Sequence, residues 1–137
     1  MVPLAEVAGG LGAERVWVVH GSDGLDEITT TGPTHVAEFH KGKVSTFDIG
    51  PKDAGLKVAK ASDLVGGSAE DNAAAIQRVL GGEKNAFRDI AVINAAAALV
   101  VAGKAETLAE GAKLAEASID SGKAKTALDK LVAATQG

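Results

Sequence analysis

The stretch His20-Gly21-Ser22-Asp23-Gly24-Leu25-Asp26-Glu27 is the best candidate for chemistry in this chain of 137 residues. Three carboxylates fall within five positions, and Asp26 and Glu27 are neighbours. Two like charges pressed together must either face apart or share a cation. Magnesium suits such a pair, because it commonly takes one or two carboxylates and completes its shell with water and phosphate oxygens. The two glycines let backbone come close to a ligand. The same composition also suits an ordinary turn, since turns favour Asp and Gly for local hydrogen bonding and backbone freedom. An EF-hand is excluded, because the alternating oxygen ligands and the distal Glu are missing. Gly21-Ser22-Asp23-Gly24 lacks the spacing of a nucleophile elbow. His20, Ser22 and Asp23 lie too close together for a triad, which is assembled from separated segments.

Other candidates are weaker. Gly9-Gly10-Leu11-Gly12 precedes a strand rather than following one, and Gly81-Gly82 follows a helix, so both suit helix stops better than phosphate loops. Gly66-Gly67-Ser68 does precede a helix, which makes anion binding physically possible there, but no strand leads in and no Lys follows where a phosphate loop needs it. Asn94 interrupts a very apolar helix, where an amide must be hydrogen-bonded to be tolerated. It is expected to tie a neighbouring loop to that helix. His35 and His40, expected at a solvated edge strand, have no metal-ligand spacing with His20.

The elements that must position these residues follow from the hydropathy pattern. Pro3 to Val7 suggests a short helix. Arg15-Val16-Trp17-Val18-Val19-His20 has the uninterrupted apolar character of a strand buried on both faces, typically in a parallel sheet. Ile28 to Thr31 is a short β-prone run. His35–Phe39 and Lys43–Ile49 alternate around His40-Lys41-Gly42, as a β-hairpin does. From Gly50 to Gly67 a long connection is expected, pinned by Leu56, Val58, Leu64 and Val65. Ser68 with Asp71 forms a capping box for a helix whose apolar stripe is Ala69, Ala73, Ile76 and Leu80. Phe87 to Ala102 is apolar almost all round and is expected as a buried core helix. Glu106 to Asp120 is amphipathic through Leu108, Ala112, Ala115 and Ile119, and Ala124, Ala127, Leu128, Leu131 and Val132 mark a last helix. The fold class is therefore α/β: a partial sheet of one buried strand, a short strand and a hairpin, covered by a C-terminal helical layer. A buried-type strand with no parallel partner leaves that sheet short of strands.

Composition narrows the function classes. Hydrophobic residues make up 46% and charged residues 23%, a globular balance. The 27 Ala against three Phe, one Trp and no Tyr mean that helices pack closely rather than on aromatic anchors. Without Cys there is no disulfide, thiolate metal site or cysteine nucleophile. A net charge of −4 leaves no footprint for nucleic acid. The N-terminus lacks the basic start and apolar run of a signal peptide, and no run is long enough to span a membrane, so the default location is cytoplasmic.

The segment RVWVVHGSDGLDEITTTG (Arg15 to Gly32), with Pro33-Thr34-His35-Val36 after it, resembles the anthranilate phosphoribosyltransferase family. So do Gly66-Gly67-Ser68-Ala69-Glu70-Asp71-Asn72-Ala73, the run from Arg88-Asp89-Ile90 to Asn94-Ala95-Ala96-Ala97-Ala98-Leu99, Ala102-Gly103-Lys104, and Ile119 to Ala124. The resemblance implies a domain of the phosphoribosyltransferase and nucleoside phosphorylase type. It also implies transfer of a phosphoribosyl group from phosphoribosyl pyrophosphate to anthranilate in tryptophan biosynthesis. By the same resemblance Mg2+ is the cofactor and Asp26 and Glu27 are the acidic metal-binding pair; no catalytic or substrate-binding residue is assigned.

Only the C-terminal portion of the family is resembled, so residues 1–137 are expected to be the C-terminal part of its large α/β domain. No Gly-Thr-Gly-Gly-Asp-like loop occurs in the chain. The expectation is a fragment that is inactive alone, whether truncated piece, split gene product or mispredicted start, with an N-terminal half or a second copy as possible partner. The alternatives are a non-catalytic stand-alone remnant, a partner-binding fragment, or a nucleoside phosphorylase-like paralogue.

Overall fold

The computed structural model of the chain describes residues 1–136. Their order is α1 (Val2–Gly10), β1 (Arg15–Gly21), β2 (Thr34–His40), β3 (Lys43–Ile49), α2 (Ala69–Leu80), α3 (Ala86–Val101), α4 (Leu108–Asp120) and α5 (Lys123–Thr135). Single 3-10 turns at Pro51–Ala54 and Ala61–Leu64 punctuate the long connection from β3 to α2. The chain thus adopts the α/β class, with a helical layer following the sheet.

The hairpin forms where the alternation placed it. His40 pairs with Lys43, and Lys41 and Gly42 both take positive φ, 50° and 77°. Such a turn matches the right-handed twist of the strands it joins. β1 runs antiparallel to β2, from Arg15 opposite His40 to Gly21 opposite Thr34, so the sheet order is β1-β2-β3. This corrects two expectations. β1 is an edge strand without parallel neighbours, with Arg15 to Val19 half-buried and His20 exposed. β2, which carries His35 and His40, is the central strand and not an edge. An apolar run records what a strand can bury, not how many neighbours pair with it.

The short run Ile28–Thr31 is not a strand. Threonine hydroxyls take up its backbone amides instead: the Thr29 amide donates to Oγ1 of Thr34, the first residue of β2, and the Thr31 amide to Thr29 Oγ1, both at 3.0 Å. Side-chain oxygens so placed compete with ladder formation.

Val19, Val36 and Phe47 stand opposite one another on the sheet face that meets the helical core. On the other face α1 buries Ala5 and sets Gly9 directly against the Phe39 ring. Glu38 ties the sheet together: its Oε1 accepts from Arg15 Nε and Trp17 Nε1, each at 2.8 Å. Arg15 also donates to the Val100 carbonyl at 2.7 Å, where α3 ends and its dipole favours a cation. Burial alone would raise the Glu38 carboxyl, but the Trp17 and Arg15 hydrogen bonds outweigh it and hold the group below its ordinary value.

Helix α2 starts with the expected capping box, Ser68 accepting from the Asp71 amide. Helix α3 is capped by Asn85 and α4 by Thr107. The buried face of α3 (Val92, Ile93, Ala96, Ala97, Val100) packs on Leu108, Gly111, Ala112, Ala115 and Ile119 of α4. A Cβ at Gly111 would come within 2.7 Å of the Ala96 carbonyl oxygen, so the two backbones approach as closely as small residues allow.

The rest of the apolar pattern is less covered than expected. Helix α3 is not buried all round, since Ala91, Ala95 and Ala98 are exposed. On α2 only Val79 is buried, while Ala69, Ala73 and Ile76 face outward. On α5 no residue is buried, and Leu131 and Val132 are exposed. In the connection Leu56 and Leu64 are half-buried, but Val58 and Val65 are not pinned. Of these, the exposed residues of α3 and Ile76 of α2 line an open groove of about 1000 Å3, together with Leu80, Leu99, Leu114 and neighbouring small residues.

Candidate functional site

The acidic loop leaves the carboxyl end of β1 and folds back on itself at once. The Gly21 amide donates to the Leu25 carbonyl and the Gly24 amide to the Gly21 carbonyl, both at 2.9 Å. Gly24 has φ +93°, a conformation that favours glycine. A Cβ at Gly21 would meet Asp23 Oδ1 at 2.6 Å and Thr29 at 3.2 Å. The Ser22 amide donates to the Pro33 carbonyl at 2.9 Å, closing the loop at its base.

The three carboxylates have separate fates. Asp23 turns inward: its Oδ2 accepts from the Thr29 and Thr31 hydroxyls, each at 2.6 Å, and its Oδ1 from the Leu25 amide at 3.2 Å. Burial alone would raise the Asp23 carboxyl, but the hydroxyls of Thr29 and Thr31 and the Leu25 amide outweigh it and hold the group below its ordinary value. Asp26 and Glu27 are exposed, and neither side chain makes a hydrogen bond or ion pair among the described residues. Beyond them Ile28 is buried, with its backbone gripped by Asn94 of α3. The Ile28 amide donates to Asn94 Oδ1 at 3.0 Å, and Asn94 Nδ2 donates to the Ile28 carbonyl at 2.8 Å.

This arrangement fits a hard divalent cation that keeps most of its own water. Asp26 and Glu27 supply anionic oxygens unclaimed by the other described residues, on a loop whose backbone is fixed on both sides. Among the described residues no three His, Cys, Asp or Glu side chains gather into a metal site. A complete protein cage of the calcium or zinc kind is therefore not built from these residues, whereas magnesium needs only one or two carboxylates beside water and phosphate.

The remaining candidates fall into place around the loop. Asn94 does what its setting predicts and ties a loop to its helix. The α2 N-terminus is occupied by the chain's own groups: Asp71 Oδ2 accepts from the Ser68 amide at 3.1 Å, and Asn72 Oδ1 from the Gly67 amide at 3.0 Å. The Gly67, Ser68 and Asp71 amides are thus already engaged. His35 lies across from Asp48 on β3, with Nδ1 and Oδ1 2.6 Å apart at the surface. The inward role of Asp23 and the hydroxyls of Thr29 and Thr31 went unread in the sequence. The signal was available, since three consecutive threonines a few residues beyond an Asp can turn hydroxyls onto its carboxylate.

Comparison with known proteins narrows what such a loop belongs to. Residues 1–125 match the family described as the glycosyl transferase family, a/b domain. The chain belongs to that family. It is 66% identical over 131 residues to the anthranilate phosphoribosyltransferase of Rhodospirillum rubrum, covering 96% of this chain and 38% of that protein. To the anthranilate phosphoribosyltransferase of Parvibaculum lavamentivorans it is 58% identical over 135 residues, 98% of this chain and 40% of that protein. The crystal structure of anthranilate phosphoribosyltransferase from Thermus thermophilus superposes with a TM-score of 0.86 at 39% identity, covering 98% of this chain and 40% of that one. The Saccharomyces cerevisiae enzyme in complex with PRPP and Mg superposes with a TM-score of 0.83 at 27% identity, over 93% of this chain and 38% of that one. The resemblance read from the motifs is thereby shown, and it lies in the C-terminal part of those proteins. The chain spans about two-fifths of the length of the relatives it matches.

Proposed function

We propose that this chain is the C-terminal, cation-holding part of an anthranilate phosphoribosyltransferase and is inactive without the rest. In that reaction a phosphoribosyl group passes from phosphoribosyl pyrophosphate to the amino group of anthranilate, in tryptophan biosynthesis, and pyrophosphate leaves. The observation that carries the proposal is the adjacent, unclaimed carboxylates of Asp26 and Glu27 on a loop fixed at both ends, in a chain 66% identical to an enzyme of that name. Asp26 and Glu27 hold Mg2+, and the chemistry such an ion supplies when bound is neutralisation of the charge growing on a diphosphate leaving group. Gly21, Gly24 and Asp23 shape the loop that presents the pair. Residues 1–137 then form the C-terminal part of the large α/β domain, in a cytoplasmic enzyme.

The partner in this proposal is the part of the relatives that the chain does not match. Its support is the apolar groove of about 1000 Å3 between α2, α3 and α4, together with the outer edge of β1, which pairs with no strand among the described residues. Apolar side chains gathered along one groove suit contact with a partner surface.

The test is a phosphoribosyl-transfer assay with phosphoribosyl pyrophosphate, anthranilate and Mg2+. The purified 137-residue chain should give no turnover, and co-expression with the upstream three-fifths of the Rhodospirillum rubrum enzyme should restore it. Turnover by the chain alone overturns the proposed dependence. In the restored enzyme, Asp26→Ala with Glu27→Ala should lower kcat/KM at least a hundredfold, and a double variant at full rate removes the metal role.

A further inference from the structure

We infer that Asn94 of α3 is the positioning residue of the acidic loop, the group that sets Asp26 and Glu27 in register for a hard divalent cation. The inference rests on the proposed role of that pair and adds a residue to it. Leu25 and Ile28 bracket the pair, and each has both backbone groups engaged. The Leu25 amide donates to Asp23 Oδ1 and its carbonyl accepts from the Gly21 amide. The Ile28 amide and carbonyl are both held by Asn94. Only Asp26 and Glu27 lie between these two fixed residues. The upstream clamp is made within the loop itself, whereas the downstream clamp comes from a helix 66 residues away in sequence.

Asn94 is suited to that task by both chemistry and place. A carboxamide can accept from a backbone N–H through its oxygen while its separate nitrogen donates to the C=O of the same residue. Its second N–H donates to the Ile90 carbonyl one turn back at 2.9 Å, which fixes the plane of the amide. Helix α3 is in turn locked by its buried face of Val92, Ile93, Ala96, Ala97 and Val100. Ile28 is only 2% exposed, so water does not substitute freely for the amide if Asn94 is removed. The helix therefore transmits its own rigidity to the two carboxylates. Side chains that orient metal ligands without touching the metal typically change metal affinity 10–100-fold when removed. Asn94 acts through one residue of backbone, so its removal is expected to fall at the lower end, about tenfold.

The experiment titrates Mn2+ against the 137-residue chain and reads bound metal from the loss of the free-ion paramagnetic resonance signal. The unaltered chain should bind one Mn2+ weakly, and Asp26→Ala with Glu27→Ala should abolish that binding. Asn94→Ala should weaken it about tenfold and speed amide exchange at Ile28. Asn94→Asp, nearly isosteric and able to keep the bond from the Ile28 amide, should also weaken it, although its added negative charge alone would strengthen attraction for a cation. Ile119→Ala, which shortens a buried side chain on α4, controls for lost stability and should leave the affinity within about twofold. Asn94→Ala and Asn94→Asp binding as tightly as the unaltered chain overturns the inference, as does an equal loss in Ile119→Ala. If the unaltered chain and the Asp26, Glu27 double variant bind alike, the role of the pair itself fails and the inference falls with it. If they differ and the Asn94 variants match the unaltered chain, the inference alone fails.

Discussion

Replacing Thr29 and Thr31 together by Val removes the internal support of the acidic loop while keeping the side-chain shape. Both hydroxyls donate to Asp23 Oδ2 at 2.6 Å, and Thr29 is fully buried. A hydrogen bond to a charged group contributes about 1.5–3 kcal/mol, and the Thr31 bond, which water reaches, counts for less than half of that. The pair therefore holds the loop closed by about 2 kcal/mol, roughly a thirtyfold shift in local opening. Amide exchange should speed by about that factor at Leu25, with Ile93 and Ala97 in α3 unchanged. The same variant changes how Asp23 titrates. In the unaltered chain its carboxyl sits below the ordinary value, so the stabilisation it brings is present above that value and is lost as pH falls through the lowered one. Without the hydroxyls the effect of burial remains, which pushes the group upward. Carboxyl 13C titration should then place Asp23 higher in the double variant than in the unaltered chain, and the acid-induced loosening of the loop should begin at higher pH. An unmoved Asp23 titration, or exchange that quickens equally in α3, would refute this account.

Other substitutions test the packing that carries the loop. Gly111→Ala presses a methyl group onto the Ala96 backbone and should cost about 1–3 kcal/mol in urea unfolding; an unchanged midpoint means that α3 and α4 are farther apart. Asp89 is raised above its ordinary value by burial and by the neighbouring Glu116, so its charged form opposes folding at neutral pH and the opposition vanishes as the group protonates in acid. Asp89→Asn should accordingly raise Tm at pH 7 and leave it nearly unchanged at pH values below the ordinary Asp value; a lower Tm at pH 7 argues against it. Ile76→Glu, at a position 52% exposed, should leave the stability of the chain within about 0.5 kcal/mol but prevent restoration of transferase activity by the upstream part. Restoration at full rate would place the partner elsewhere.

The parts of the fold that were legible in the sequence are those determined by neighbours in the chain. Lys41-Gly42 makes its turn because two positive-φ positions are needed and glycine supplies one of them without strain. Ser68 and Asp71 cap α2 through groups three residues apart. The acidic loop stood out as a candidate for the same reason, since Asp23, Gly24, Asp26 and Glu27 are local. The division of labour within it was not, because that depends on where hydroxyls from Thr29 and Thr31 and the amide of Asn94 arrive in space. Ile28–Thr31 has strand-like composition, but its side chains bond the backbone before a ladder can.

Part of the misjudged burial is gathered in one place. β1, the stripe of α2, the outer face of α3 and α5 all carry more apolar surface than residues 1–136 cover. Were the excess scattered, it would be the ordinary apolar share of any protein surface. Much of that on α2, α3 and α4 is contiguous instead. Ile76 and Leu80 of α2 share one groove with Ala91, Ala95 and Ala98 of α3, Leu114 of α4 and Ala124 of α5. Ala98 also lines the smaller cavity of about 340 Å3 beside Arg15, Val16 and Trp17 of β1. Part of the overstated burial therefore lies along these two hollows, while Leu131 and Val132 of α5 and Val58 and Val65 of the connection are exposed outside them. An apolar surface shared by α2, α3 and α4 in this way is what the proposed partner would cover.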